Sequence, residues 1–440
     1  MMKSCKIFFA IVLLFLVGCF AGAQETVVLT LEKSIEIALS QNPYHLASEE
    51  RVAAASSQVR AAAANFFPTI EAQGLHTLDE KLFELEFPSF IPGEPPERVA
   101  IDFTKDYQFS LSVSLPLFTG GRLISGFKQA KYNLNSAKES VRLSQQVTVF
   151  NAKRAFYGYL LAEEFVRVAE EAVEVAEKQL KNVQNMYEVG MVSKYDLLST
   201  EVRLANLKPE LIKARNNRKI AELGLKNLLG MDLSQDVEIK GSMPSEFIEP
   251  NMEKCIEKAL LNRPELYQLK YQKQVGGEML KMARAAYLPT VALGATYNFW
   301  ADKFDFHKDT WANYYAINLV VSLPLFSGFS KSAQVAQSKA MLREVELTQR
   351  GLEDMVKLEV RQAVLKVMDA KESFLSQEKN VDQAKESLRI AELNYSEGLA
   401  TTLDVSSAQA ALTRARMNNS QALFDYVVFL AELDKAMGLD

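Results

Sequence analysis

A chain of 440 residues, 48% hydrophobic and 24% charged, is long enough for two or three ordinary domains. Its composition is not that of a disordered chain, and beyond the N-terminus it has no apolar run of the roughly 18 residues a membrane helix needs. Its net charge is −5 with Lys and Arg scattered throughout, which excludes the concentrated basic footprint of a nucleic-acid binder. Cys5 and Cys19 lie near the N-terminus and Cys255 stands alone beyond them, so an intrachain disulfide framework is excluded.

The first 23 residues read as an export signal. Met1 to Lys6 is a basic start, Ile7 to Gly18 an apolar core, and Ala21-Gly22-Ala23 a small-residue cleavage site. Leu16-Val17-Gly18-Cys19 also reads as a lipobox, with Cys19 then the acylated mature N-terminus. On either reading the mature protein leaves the cytoplasm.

Further along, the period of the apolar residues switches between two and about 3.6. Thr69 to Leu78 alternates weakly. Asp79 to Lys105, with Pro88, Pro92, Pro95 and Pro96, reads as an exposed extracellular loop. From Tyr107 to Leu115 every odd residue is apolar and every even one is Gln or Ser. Residues 122–189 contain no proline and are predicted as one helix of roughly 100 Å at 1.5 Å per residue, with a heptad seam at Leu161, Phe165, Val168, Ala172 and Val175. Beyond Gly190 a second helix over about 195–229 runs back, making a long antiparallel hairpin. Residues 233–250, with Pro244 and Pro250, form a linker. Alternation returns over Val291 to Trp300 and Tyr315 to Leu323, and a second helical hairpin follows with the seam Val381, Ala384, Leu388, Ala391 and Tyr395.

The chain is a tandem duplication. Val113-Ser114-Leu115-Pro116-Leu117-Phe118-Thr119-Gly120 returns as Val321-Ser322-Leu323-Pro324-Leu325-Phe326-Ser327-Gly328, an offset of 208 residues. The same offset carries Tyr187, Gly190 and Asp196 onto Tyr395, Gly398 and Asp404, and Leu229-Gly230-Met231-Asp232 onto Met437-Gly438-Leu439-Asp440. Asn42-Pro43 and Pro68-Thr69 match Arg263-Pro264 and Pro289-Thr290 at an offset of 221, so the first copy holds an insert. The repeats span 24–232 and 251–440.

Each alternating stretch is about ten residues, the length of a tilted strand across an outer membrane. A half-buried sandwich strand alternates likewise. The small polar inner face favours the membrane, as do Trp300, Phe304, Phe306, Trp311, Tyr314 and Tyr315, which resemble an interfacial girdle. The fold class is therefore α+β membrane protein: long helical hairpins plus four membrane strands per chain. Four strands cannot close a barrel, so the chain must oligomerise; arithmetic permits a dimer of eight strands or a trimer of twelve.

The duplicated order of these motifs resembles the TolC-like outer-membrane efflux protein family over about 29–440. The resemblance implies a homotrimer with a shared twelve-stranded barrel and a helical tunnel, or α-barrel, reaching into the periplasm. It further implies docking on a periplasmic adaptor, or membrane fusion protein, of an inner-membrane pump of RND or ABC type. By that resemblance the hairpins turn, and meet the adaptor, at Gly190, Met191, Val192 and Ser193 and at Gly398, Leu399, Ala400 and Thr401. Asp404 matches a residue ringing the closed pore, Ser407 stands where the family pattern has a second Asp, and Asp196 and Tyr395 match a latch between hairpins. Ala400 replaces an Arg of another latch. The plain roles of these residues are helix N-terminal acids for the two aspartates and a packed seam residue for Tyr395. His45, His76 and His307 have no ligand spacing, and no phosphate loop or nucleophile set is apparent; neither a metal, a cofactor nor an enzyme activity is expected. The competing class is a non-conducting extracellular coiled-coil fibre or adhesin, which has similar seams but no need of strands with a polar inner face.

Overall fold

The computed structural model describes residues 27–79, 83–91, 93, 95–101, 105–305, 307 and 310–439; the segment read as an export signal, with Cys19, and Phe306 lie outside them. The first repeat runs β1 (Val27–Leu29), α1 (Leu31–Gln41), α2 (Pro43–Ala64), β2 (Thr69–His76), β3 (Phe83–Phe87), β4 (Glu97–Ile101), β5 (Tyr107–Phe118), α3 (Arg122–Glu188) and α4 (Lys194–Leu229). After β6 (Val237–Ile239) in the linker, the second runs α5 (Met252–Asn262), α6 (Pro264–Ala285), β7 (Thr290–Ala301), β8 (Ala312–Ser322), α7 (Ser330–Ser396) and α8 (Thr402–Ala436). The duplication is literal: α1 and α5 are 11 residues each, α2 and α6 are 22, and α3 and α7 are 67.

Two compact units form, and neither is a repeat. One takes residues up to 49, 140–264 and 352 onward, the other 50–139 and 265–351, so each draws matching pieces from both copies.

In the first unit the repeated landmarks have local causes. Thr30 and Asn251 cap α1 and α5 by accepting from the amides of Lys33 and Lys254. Asn42 and Arg263 end these helices in extended conformation, ψ 119° and 122°, because the following proline disfavours the helical region for its predecessor. Gly230 (φ 70°) and Gly438 (φ 75°) lie directly against these junctions: a Cβ would stand 2.6 Å from the Gln41 carbonyl oxygen or 2.8 Å from the Asn262 carbonyl carbon. Only glycine fits, by both space and left-handed φ. β1 pairs in parallel with β6, Leu29 opposite Ile239, and ties the linker to the start of the chain. These strands of three residues are too short to show a period.

The core of this unit contains Phe156, Leu225, Leu229, Val356, Val360, Val364, Tyr426 and Leu433, all nearly sealed from solvent. The predicted seam holds on α7, where Val381 is buried with Leu412 and Ala415 of α8 and flanked by Ala384 and Leu388. On α3 it drifts: Val175 is exposed, and the buried stripe runs through Ala169, Ala176 and Val183. Acids seven apart on α3 (Glu163, Glu170, Glu177) pair with Arg218, Arg215 and Lys208 of α4. At the surface each such pair is worth about 0–1 kcal/mol and contributes more to register than to stability.

The second unit holds a four-stranded antiparallel sheet in the order β2-β5-β7-β8. Its register sorts the side chains. One face carries Ile70, Phe109, Leu111, Val113, Leu293, Tyr297, Phe299, Tyr315, Ile317 and Leu319; the other carries Glu71, Gln73, Gln108, Ser110, Ser112, Ser114, Thr296, Asn298 and Asn318. The apolar face is bare in the single chain, with both Ile70 and Ile317 69% exposed. The Pro-Leu-Phe landmark in β5 coincides with a register shift between Pro116 and Phe118, since proline has no N–H for the ladder.

Two expectations are corrected here. The stretch 79–105 is not simply a loop: β3 and β4 pair as an antiparallel hairpin, Phe83 opposite Ile101 and Leu85 opposite Val99. Each strand has five residues, one on either side of the proline cluster, and Glu97–Ile101 shows no alternation, so the period carries no signal there. The aromatics do not form one girdle either. Trp311 packs with Phe109, Phe299 and Phe304 and Tyr315 is on the apolar face, but Trp300 and Tyr314 fall on the polar face beside Gln108 and Asn298.

Candidate functional site

Both hairpin tips are built alike. At the end of α3 the Gly190 amide donates to the Tyr187 carbonyl (3.0 Å) and that of Met191 to Met186 (2.8 Å). At the end of α7 the Gly398 and Leu399 amides donate to Tyr395 (3.1 Å) and Asn394 (2.8 Å). These paired bonds need a left-handed residue, and Gly190 (φ 75°) and Gly398 (φ 74°) supply it. Three residues after each glycine a capping box opens the returning helix. The Asp196 carboxylate accepts from the Ser193 amide (3.2 Å) and hydroxyl (2.6 Å), and the Asp404 carboxylate accepts from the Thr401 amide (2.8 Å) and hydroxyl (2.7 Å). The Thr401 donors hold the Asp404 carboxyl below its ordinary range.

The tips are bare and apolar: Met191 is 74% and Leu399 79% exposed, Val192 and Ala400 are half-buried, and Ser193 and Thr401 are exposed. Asp404 and Ser407 lie one turn apart on α8, both exposed.

The expected partnership of Asp196 with Tyr395 is not formed in this chain. Asp196 is occupied by Ser193, while the Tyr395 hydroxyl donates to the Met186 sulfur (3.6 Å) and accepts from the Thr402 hydroxyl (3.4 Å). Tyr395 thus joins α3 of one repeat to α7 and α8 of the other, through different atoms. A stronger link between repeats is one the sequence did not mark: Glu171 of α3 accepts from Arg416 of α8 and from Arg167 of its own helix. Both side chains are half-buried. Opposite charges flanking two seams are the only signal it leaves, and such residues are common.

The histidines stay apart. His45 is buried near Glu49, His76 stacks on Tyr107, and His307 meets Asp305. Among the described residues no group of three His, Cys, Asp or Glu could hold a metal ion, and no helix is long and apolar enough to cross a membrane.

Comparison with known proteins agrees with this geometry. The family described as outer membrane efflux protein matches residues 34–231 and 255–439, one match per repeat. The outer membrane protein TolC of Vibrio cholerae is 24% identical over 321 residues, covering 70% of this chain and 72% of that one. The outer membrane efflux protein BepC of Brucella suis is 23% identical over 342 residues, covering 77% and 74%. Among solved structures, the CmeC outer membrane channel of Campylobacter jejuni superposes with a TM-score of 0.77 at 17% identity, covering 93% of this chain and 85% of that one. The fold is that of these channels, α-barrel hairpins together with β-barrel strands. The chain belongs to the outer membrane efflux protein family, as an exit duct residing in the outer membrane.

Proposed function

We propose that three copies close one twelve-stranded barrel in the outer membrane and continue as a helical conduit into the periplasm. The observation that carries this is the four-stranded sheet with unpaired edges at β2 and β8 and one bare apolar face. Edge groups left unpaired in lipid cost several kcal/mol each, so another copy's β8 must meet β2. The Ser, Gln and Asn face then lines water. A fibre or adhesin has no use for such a face.

The tips at 190–193 and 398–401 are the docking surface for a periplasmic adaptor, which hands cargo from an inner-membrane pump of RND or ABC type. The exposed Met191 and Leu399 give that contact its apolar area. Asp404 acts at the gate. In a three-copy ring its carboxylates repel one another, which opposes the depression caused by Thr401. Ser407 adds no charge one turn away, so the constriction is less acidic than the family pattern. Asp196 acts through the shape of its tip, and Tyr395 as the clasp between repeats.

Mass measurement of the detergent-solubilised particle together with planar-bilayer conductance tests the reading. A three-chain particle with ohmic conductance is expected; a stable monomer, or a trimer that never conducts, would refute it.

A further inference from the structure

We propose that Trp300 and Tyr314 form an aromatic collar on the water-facing side of the sheet and that, with Glu71 below them, they make a transit site for planar aromatic cations. This rests on the reading of the sheet as part of a closed conduit. Trp300 lies opposite Gln108 of β5 and Ala312 of β8, in the polar file that continues through Asn298 and Thr296. Its indole meets the Tyr314 ring edge to face, centroids 5.7 Å apart and planes at 63°. The other large aromatics of the four strands, Tyr107, Phe109, Phe118, Tyr297, Phe299 and Tyr315, fall on the apolar face. These two cannot serve as lipid anchors, because a strand turns alternate side chains to opposite faces. Tyr314 is 53% exposed and Trp300 half-buried, which leaves ring surface open toward the lumen.

Charge complementarity selects the occupant. Glu71 is the only Asp, Glu, Lys or Arg in the four strands, and it falls on the same polar face. It has no cationic partner among the described residues. It pairs with Ser112, which pairs with Thr296, so its level is four residues, about 13 Å, along the strand from Trp300. In the assembled barrel each chain contributes one carboxylate and one aromatic pair. A planar cation gains from each in turn: at the collar from stacking and from the indole face, and at the level below from the carboxylate. A neutral aliphatic molecule gains from neither.

The chain has two tryptophans, so Trp311→Phe leaves Trp300 as the only indole, and the substitution keeps an aromatic ring against Phe109 and Phe299. In proteoliposomes its fluorescence is titrated with proflavine, a planar aromatic cation, and in parallel with acrylamide and with brominated lipid. Saturable quenching by proflavine, quenching by acrylamide and none by brominated lipid are expected. Tyr314→Ala should weaken the proflavine site roughly fivefold, and Glu71→Gln, a charge about 13 Å away across water, about twofold. Quenching by brominated lipid and not by acrylamide places Trp300 in the bilayer and overturns the collar. Proflavine quenching indifferent to both Glu71→Gln and Tyr314→Ala overturns the cation site. Loss of conductance in the parent protein would instead count against the conduit itself, and the lipid-against-water quenching pattern keeps the two failures distinct.

Discussion

Tyr426→Phe probes how the linker between the repeats is held. Tyr426 of α8 is fully buried; its hydroxyl donates to the Glu246 carbonyl at 3.2 Å and accepts from the Ile248 amide at 3.0 Å. Its ring packs edge to face on Phe247 at 4.9 Å, and Phe247 in turn meets Phe374 of α7 at 5.3 Å. Residues 240–251 form neither helix nor strand, so their backbone groups depend on side-chain partners of this kind. The substitution deletes both hydrogen bonds and keeps the ring. A neutral hydrogen bond contributes about 1 kcal/mol net, and a buried group left without one costs about 1–3 kcal/mol. Ile248 is 46% exposed, so water can reach the freed amide from one side, which places the loss at about 1–2 kcal/mol. Amide hydrogen exchange at Ile248 in the solubilised protein should accelerate about tenfold, the equivalent of 1.4 kcal/mol. Tyr426→Ala adds an emptied ring site, about 3–5 kcal/mol, and should disturb the protection of the surrounding α7 and α8 amides as well. If Ile248 exchanges at the parent rate in Tyr426→Phe but faster in Tyr426→Ala, ring packing alone holds the linker and the hydrogen-bond argument fails.

The remaining predictions concern the ends of the helices and the clasp between repeats. Burial raises the Asp434 pKa despite the nearby Lys153 and Lys258, so its folded pKa lies above its unfolded value of about 3.9. The native state then binds the proton more tightly, the associated stability is complete below that value, and it is lost as pH rises through the folded pKa. Asp434→Asn should therefore melt higher at pH 7, with the gain vanishing at pH 3; an equal gain at both refutes the burial argument. Arg416→Ala removes the Glu171 clasp and should raise resting conductance in bilayers, whereas Arg389→Ala, whose partner Glu386 is on its own helix, should leave it unchanged. Asp404→Ala and Asp404→Asn should both relieve block by divalent cations from the periplasmic side, because both remove the ring of charge; block persisting in both variants reduces Asp404 to a helix cap. Asp196→Ala should loosen its tip without altering the block. Bulky charged substitutions at Val192 or Ala400 should abolish export while leaving the trimer intact, and normal export in those variants moves the adaptor surface elsewhere.

The sequence by itself determined the elements whose cause is local. The alternation from Tyr107 to Leu115, the uninterrupted helical stretch after residue 122, the glycine-then-acid tips and the doubled order of landmarks all follow from near-neighbour sterics and side-chain period. Each appears in the structure within a few residues of where the pattern places it. Their duplication extends this to the count of strands and hairpins, and so to the need for partner copies. What the sequence left undecided depends on pairing between segments far apart in the chain. Nothing local says that Val27–Leu29 finds Val237–Ile239, that Asp196 keeps to its own cap while Tyr395 turns to Met186 and Thr402, or that Glu171 meets Arg416. The aromatics show the reason most clearly. Alternation makes Tyr314 and Tyr315 face opposite ways, but which of them meets lipid is set by the register of β8 against β7 and of β7 against β5. A slip of one residue exchanges the two faces, and only the packed sheet, with Ile317 and Leu319 committed to the apolar side, fixes Trp300 and Tyr314 on the other.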